Sequence, residues 1–103
     1  MTFIQEPTHY LKTVLSDLQG AWSVLREEVV NNFGFENSDK LLFHIDEAMS
    51  WESVRNLQKM KTEFIFIRNI ALISEADEEI LEAIDDVQVD LDEALQSLAE
   101  GEI

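Results

Sequence analysis

The chain has 103 residues and a net charge of −15, from 22 acidic and seven basic side chains. This length predicts one domain, and 46% apolar residues exclude a chain that is disordered by composition. The absence of cysteine excludes disulfides and thiolate metal sites, and no apolar run approaches the ~20 residues that span a bilayer. Because the N-terminal residues also lack the pattern of a signal peptide, we expect a cytoplasmic protein that does not bind membranes.

The charge is distributed unevenly along the chain. Residues 1–68 carry ten acidic and seven basic side chains, whereas residues 69–103 carry twelve acidic side chains and no Lys or Arg, which gives formal charges of −3 and −12. An asymmetry of this size is typical of a region that interacts with a charged partner.

The first predicted helix covers residues 8–33. Pro7 suits a first helical turn, and apolar residues then recur at alternating steps of four and three, which is a heptad pattern. The members of this seam are Leu11, Leu15, Leu18, Trp22, Leu25 and Val29. Gly34 is expected to stop the helix, and Gly20 within it indicates either a kink or a close approach by another helix.

A loop and a short helix are predicted next. The loop covers residues 34–38 and ends in a capping candidate at Asn37 or Ser38. The short helix covers residues 39–49, and Ser50 is a further capping candidate beyond it. Its buried residues are expected to be Leu41, Leu42, Ile45 and Met49.

The third predicted helix covers residues 51–73. Its second half is apolar most of the way round, which is typical of a central helix. Its apolar stripe comprises Trp51, Val54, Leu57, Met60, Phe64 and Ile67. A buried strand over residues 64–73 is the alternative, although no second strand candidate exists to pair with it.

The last predicted helix covers residues 75–99, with Ser74 as its cap. Its apolar seam again steps by four and three: Ile80, Ile84, Val87, Leu91, Ala94 and Leu98. Because residues 71–76 contain no Gly or Pro, the alternative is one continuous rod formed by the third and fourth helices. Together the elements predict an all-α protein, a three- or four-helix up-down bundle with a strongly acidic C-terminal helix.

The acidic residues of the last helix fall on the side opposite its apolar seam in a helical projection. The nine predicted partner-binding residues are Glu75, Glu78, Glu79, Glu82, Asp85, Asp86, Asp90, Asp92 and Glu93. With Asp77 they place one carboxylate per about 2.8 Å, between the ~1.7 Å of duplex DNA and the ~3.4 Å of a single strand. Acids on a neighbouring helix, such as Glu27 and Glu28 or Asp46 and Glu47, would bring the density nearer to that of a duplex.

A face of one sign costs stability, because like charges three and four residues apart repel each other. Such a face is typical of a surface that binds a basic partner. The alternative is a plain solvated face that is partly neutralised by the preceding helix, whose basic residues are Arg55, Lys59, Lys61 and Arg68. Val89 lies among the acids as either an ordinary exposed valine or an apolar contact within the interface.

No residue pattern predicts catalysis, a cofactor or a metal. Glu6 and His9 have the Glu-x-x-His spacing of di-iron bundles, but Glu6 precedes the predicted helix, and His44 with Glu47 runs in reverse order. Residues 86–92 lack the glycine of a calcium loop. The chain also lacks a glycine-rich phosphate loop and the basic stripe that direct nucleic-acid binding requires.

The sequence therefore predicts a non-enzymatic acidic module that binds a basic, nucleic-acid-binding protein. This class includes DNA-mimic inhibitors of nucleases and of restriction or CRISPR systems, and also immunity and antitoxin proteins. The alternative is a structural or adaptor protein, a homodimer joined through the heptad seams, whose acidic face only keeps it in solution. Salt separates the two hypotheses, because ionic binding weakens steeply with salt and apolar association does not.

Overall fold

A computed structural model of the chain describes residues 6–54 and 56–101, with side chains from residue 14 onward except that of Ser53. These residues form four α-helices and no strand, so the prediction of an all-α chain is confirmed and the strand alternative is wrong. The helices are α1 (Glu6–Asn31), α2 (Ser38–Ser53), α3 (Leu57–Ile73) and α4 (Glu78–Ala99). None of the helices in the described residues is both long and apolar enough to cross a bilayer.

The helices pack through the apolar stripes that the sequence predicts. The backbone of α1 closely approaches those of α2 and α4, and α3 closely approaches the same two helices, while α2 and α4 lie farther apart. The largest fully buried side chains include Leu18, Trp22, Leu25, Ile45, Met60, Ile67, Ile84 and Leu91. Because burial of each large apolar side chain contributes about 1.5–3 kcal/mol, these stripes hold the four helices together.

Trp22 lies at the centre of this core. Its indole Nε1–H donates to the Met60 sulfur at 3.2 Å, and its ring meets the Phe64 ring edge-on with centroids 6.3 Å apart. A buried tryptophan needs a partner for its N–H, and a thioether is a weak acceptor that also packs well. The prediction that Trp22 is a core residue is confirmed.

The break between α2 and α3 lies later than predicted. α2 continues to Ser53, so Trp51 belongs to its last turn, and the predicted start of the third helix at residue 51 is wrong. The Ser50 hydroxyl donates to the Glu47 carbonyl at 2.6 Å, a bond that a serine within a helix can make, so the helix passes through this position.

Asn56 starts α3 in place of Ser50. Its side chain accepts from the Lys59 backbone N–H at 3.2 Å, which satisfies one of the free donors of the first turn. Val54 lies in the turn and is exposed, so its predicted place on the apolar stripe is wrong. Trp51 is half-buried, and the Lys59 ammonium lies 5.7 Å from its ring centroid.

The loops over residues 32–37 and 74–77 are joined by a hydrogen bond. The Asn37 amide donates to the Ser74 hydroxyl at 2.9 Å. Each loop contains a non-glycine residue with positive φ: Asn37, at 68°, directly precedes α2, and Glu75, at 54°, lies just past the end of α3, where the left-handed conformation commonly ends a helix. α3 and α4 are therefore separate helices and not one rod. Ser74 follows the last residue of α3, so its predicted role as the cap of the fourth helix is wrong.

Candidate protein-binding surface

α4 turns its apolar seam inward and its carboxylates outward. The buried residues of the helix are Ile80, Ala83, Ile84, Val87, Leu91, Ala94 and Ser97. In α1 the seam residues from Leu15 to Val29 are likewise buried, and α1 and α4 pack against each other. The seam of α1 from Leu15 to Val29 and the seam of α4 from Ile80 to Ala94 are thus covered within a single chain.

Eight of the nine predicted partner-binding residues lie on α4. Glu75 is the exception, because α4 begins at Glu78 and Glu75 belongs to the preceding loop. We call the eight the acidic face: Glu78, Glu79, Glu82, Asp85, Asp86, Asp90, Asp92 and Glu93. All are exposed except Asp90, which is half-buried. They span about 24 Å of helix, or about one carboxylate per 3 Å, which is close to the ~3.4 Å phosphate spacing of a single DNA strand.

The acidic face contains like charges at helical contact distance. Six of its pairs are three or four residues apart, which at ~0.2–0.5 kcal/mol each amounts to about 1–3 kcal/mol against the helix. Glu78 and Glu79 regain part of this, because they lie in the first turn near the positive end of the helix dipole. The remaining six gain little from the dipole, so the helix depends on its buried seam.

Basic residues from α3 reach only one edge of the acidic face. Lys61 and Arg68 line a groove of about 290 Å³ together with Asp92. Among the described residues there is one Arg–carboxylate ion pair, Arg26 with Asp46, and one His–carboxylate contact, His44 with Glu63, and neither involves the acidic face. Arg55, which was also expected to neutralise it, lies outside the described residues.

The neighbouring acids that could raise the charge density are arranged differently from the expectation. Asp46 and Glu47 belong to α2, which is not among the helices that closely approach α4, and Asp46 is paired with Arg26, Oδ1 to Nε, at 2.6 Å. That part of the prediction is wrong. The acid that α1 does bring to the acidic face is Asp17, which sequence reasoning missed, because its position depends on α1 packing against α4.

Asp90 is the half-buried member of the acidic face. Burial raises the pKa of its carboxyl, and the negative charges of Asp17, Glu93 and Asp86 raise it further. The structure therefore places a half-buried carboxylate among like charges, where a cationic group would relieve the repulsion.

A groove of about 300 Å³ runs beside Asp90 between α1 and α4. Its lining residues are Gly20, Ala21, Val24, Asp86, Val89 and Asp90. Nothing lies within 4 Å of a Cβ placed on Gly20, so the interpretation of Gly20 as a site of close helix approach is wrong. Val89 is 65% exposed and forms part of the groove, which combines apolar side chains with two carboxylates. An arginine or lysine has the matching form, an aliphatic stem with a charged end.

A second group of polar side chains lies where α2 packs on α3. His44 Nδ1 and Glu63 Oε1 are 2.8 Å apart, and Glu47 lies next to them. The spacing of His44 and Glu47 is visible in the sequence, but the proximity of Glu63 is not, because it depends on how α2 and α3 pair.

No protein-family model, curated protein or solved structure matches this chain.

Proposed function

We propose that this chain is a non-enzymatic acidic binding module that occupies the basic nucleic-acid-binding surface of a partner protein. The single observation that carries the proposal is the acidic face, eight carboxylates along one helix that no described Lys or Arg pairs with. Its like charges cost stability, and only Glu78 and Glu79 in the first turn regain part of that cost from the helix dipole. In this proposal the four helices form an up-down bundle that presents α4 to the partner in the cytoplasm.

The proposed mechanism is occlusion. A nucleic-acid-binding protein holds phosphates with Arg and Lys side chains, and these also form strong charge-assisted hydrogen bonds with carboxylates. Because the acidic face has nearly the charge spacing of a nucleic-acid strand, several of these basic side chains can bind it at once. The bound module then excludes the nucleic acid, as expected of DNA-mimic inhibitors of nucleases, restriction or CRISPR systems, and of immunity or antitoxin proteins.

The groove between α1 and α4 supports the same proposal. An arginine that enters it can lay its stem against Val24 and Val89 while its guanidinium contacts Asp86 and Asp90. A cation at this point offsets the repulsion between Asp90 and the carboxylates of Asp17, Asp86 and Glu93, so the groove favours a cationic partner. Val89 then contributes an apolar contact to the interface.

A capture experiment tests the proposal. The protein is immobilised, exposed to cell lysate at low salt and eluted with duplex DNA, and the eluted proteins are identified by mass spectrometry. We expect basic nucleic-acid-binding proteins in the eluate, and we expect their binding to weaken steeply between about 50 and 200 mM salt.

Two variants of equal net charge make the experiment specific. The first neutralises exposed members of the acidic face, Glu82→Gln, Asp85→Asn and Asp86→Asn. The matched control neutralises three exposed acids outside that face, Glu36→Gln, Asp39→Asn and Glu100→Gln. Loss of capture in the first variant alone supports the proposal, and equal behaviour of the two variants contradicts it.

Self-association is the second candidate function. Most seam residues of α1 and α4 are buried within one chain, so a homodimer has to use other apolar side chains. Phe43 on α2 and Phe66 on α3 are exposed and are the candidates for such a contact. Sedimentation velocity at low and high salt separates the candidates. A dimer that persists in high salt and is lost in a Phe43→Ser, Phe66→Ser variant favours this second function.

A further inference from the structure

His44, Glu47 and Glu63 form a compact group of potential metal ligands outside the acidic face. His44 and Glu47 are three residues apart on α2 and therefore lie on the same side of that helix, and Glu63 approaches from α3. One potential ligand atom from each residue lies within 4.8 Å of those of the other two. Around a zinc ion with ligands at 2.0–2.2 Å, bound atoms are about 3–4 Å apart, so small side-chain rotations suffice to close the site.

The surroundings of His44 hold its ring in place. The Phe66 ring stacks on it with centroids 5.7 Å apart and planes at 26°, and the Phe43 ring meets it edge-on at 5.3 Å. The His44 and Glu63 side chains are only 27% and 16% exposed. Partial burial beside aromatic rings reduces competition from water, while the remaining exposure leaves the three side chains accessible from solvent.

We propose that His44, Glu47 and Glu63 bind a divalent transition-metal ion, with Zn²⁺ as the best fit. One imidazole nitrogen with two carboxylates is a ligand set that zinc accepts, whereas calcium and magnesium prefer oxygen ligands alone. Three protein ligands leave a coordination position for water. The ion joins α2 to α3 and stabilises the folded chain by binding it in preference to the unfolded chain. This inference does not depend on the proposed function, since its three residues lie on α2 and α3 and none of them belongs to the acidic face of α4.

Calorimetric titration of the chelator-treated protein with ZnCl₂ tests the site, together with thermal unfolding in the presence and absence of zinc. We expect one site of 1:1 stoichiometry and a higher unfolding temperature with zinc. The decisive variant is Glu47→Gln, because the hydrogen bond between His44 and Glu63 does not include Glu47. A metal site predicts zinc binding at least about tenfold weaker in this variant. A simple ion pair between His44 and Glu63 predicts no change.

Two control variants complete the test. One is His9→Gln, which removes the only other histidine, and the other is the double variant Glu82→Gln, Asp86→Asn, which removes two carboxylates of the acidic face. Both variants are expected to leave the 1:1 zinc binding intact. Co²⁺ can be bound in place of zinc, and its visible absorption depends on its ligands. We expect this absorption to change in the His44→Gln variant. Equal weakening by the acidic-face variant, or an unchanged affinity in Glu47→Gln, overturns the proposal. Capture of a basic partner by the acidic face is expected to be unchanged in Glu47→Gln, which separates this test from that of the proposed function.

Discussion

The two faces of α4 act on the same helix in opposite directions. The inner face buries an apolar seam against α1 and α3, and the outer face exposes carboxylates that repel one another. The inner face accounts for the existence of the helix, since burial of each large side chain contributes about 1.5–3 kcal/mol. The outer face opposes the helix by about 1–3 kcal/mol, so the fold does not explain it. The exposed carboxylates of α4, which the fold does not require, are therefore the part of the helix where a function is expected.

The largest effect is expected from the inner face. Ile84 is 2% exposed, and Ile84→Ala removes buried methyl groups and leaves a cavity, at a cost of about 2–5 kcal/mol. Val89, 65% exposed on the outer face, is the matched position, and Val89→Ala should change stability by no more than about 0.5 kcal/mol. Urea unfolding of both variants checks this pair. Similar losses in the two variants would contradict the assignment of inner and outer faces.

A smaller effect of opposite sign is expected at Glu82. This residue has four acidic neighbours three or four positions away, Glu78, Glu79, Asp85 and Asp86. Glu82→Gln removes all four repulsions and should stabilise the protein by about 1–2 kcal/mol at low ionic strength. The gain should shrink in high salt, which screens exposed charges.

Glu27→Gln on α1 is the control for Glu82→Gln. Glu27 is also exposed but has no acidic residue three or four positions away, so its replacement should leave stability nearly unchanged. Urea unfolding at two salt concentrations measures both variants. A stabilisation by Glu82→Gln that does not exceed the control would show that the acidic face carries no such cost.

The smallest effect is expected at Asp90 and depends on pH. Because its pKa in the folded protein is raised, the folded protein holds this proton more tightly than the unfolded chain does. Stability therefore falls as pH rises from the ordinary Asp value of about 3.9 through the raised pKa, and the loss persists at neutral pH. Asp90→Asn removes this loss, so the variant should be more stable than the wild type at pH 7 and should differ least below about pH 4.

Asp85→Asn is the matched control for the pH experiment, because it removes one negative charge from the exposed part of the same face. Unfolding free energies across the acidic and neutral range should show the pH-dependent difference for Asp90→Asn and a smaller one for Asp85→Asn. If both variants show the same pH dependence of the unfolding free energy, that dependence arises from the charge of the whole acidic face and not from the position of Asp90.

Much of this architecture follows from local sequence pattern. The periodicity of the apolar residues predicts all four helices, because a helix buries one stripe whatever its neighbour is. The same periodicity places the acids of α4 opposite the seam. The ends of helices are harder to predict where a residue type suits two roles. A serine such as Ser50 suits a helix cap, but its hydroxyl here donates to a carbonyl within the helix. Glu75 adopts the left-handed conformation, which no local sequence signal marks.

The pairing of helices could not be predicted from the sequence, and the missed site residues all depend on it. Asp17 acts on Asp90 only because α1 packs on α4, and Glu63 meets His44 only because α3 packs on α2. Neither Asp17 nor Glu63 belongs to a local motif. An apolar stripe indicates that a helix has a partner, and it does not indicate which helix that partner is.

The packing of α1 against α4 has a consequence for folding during synthesis. At about 5–20 residues per second, some 3–14 seconds pass between completion of α1 and completion of α4. During that interval α2 can cover one side of α1, while the side that later meets α4 stays open to water or to other chains. The first helix of this protein therefore reaches its final environment only when the last one has been made.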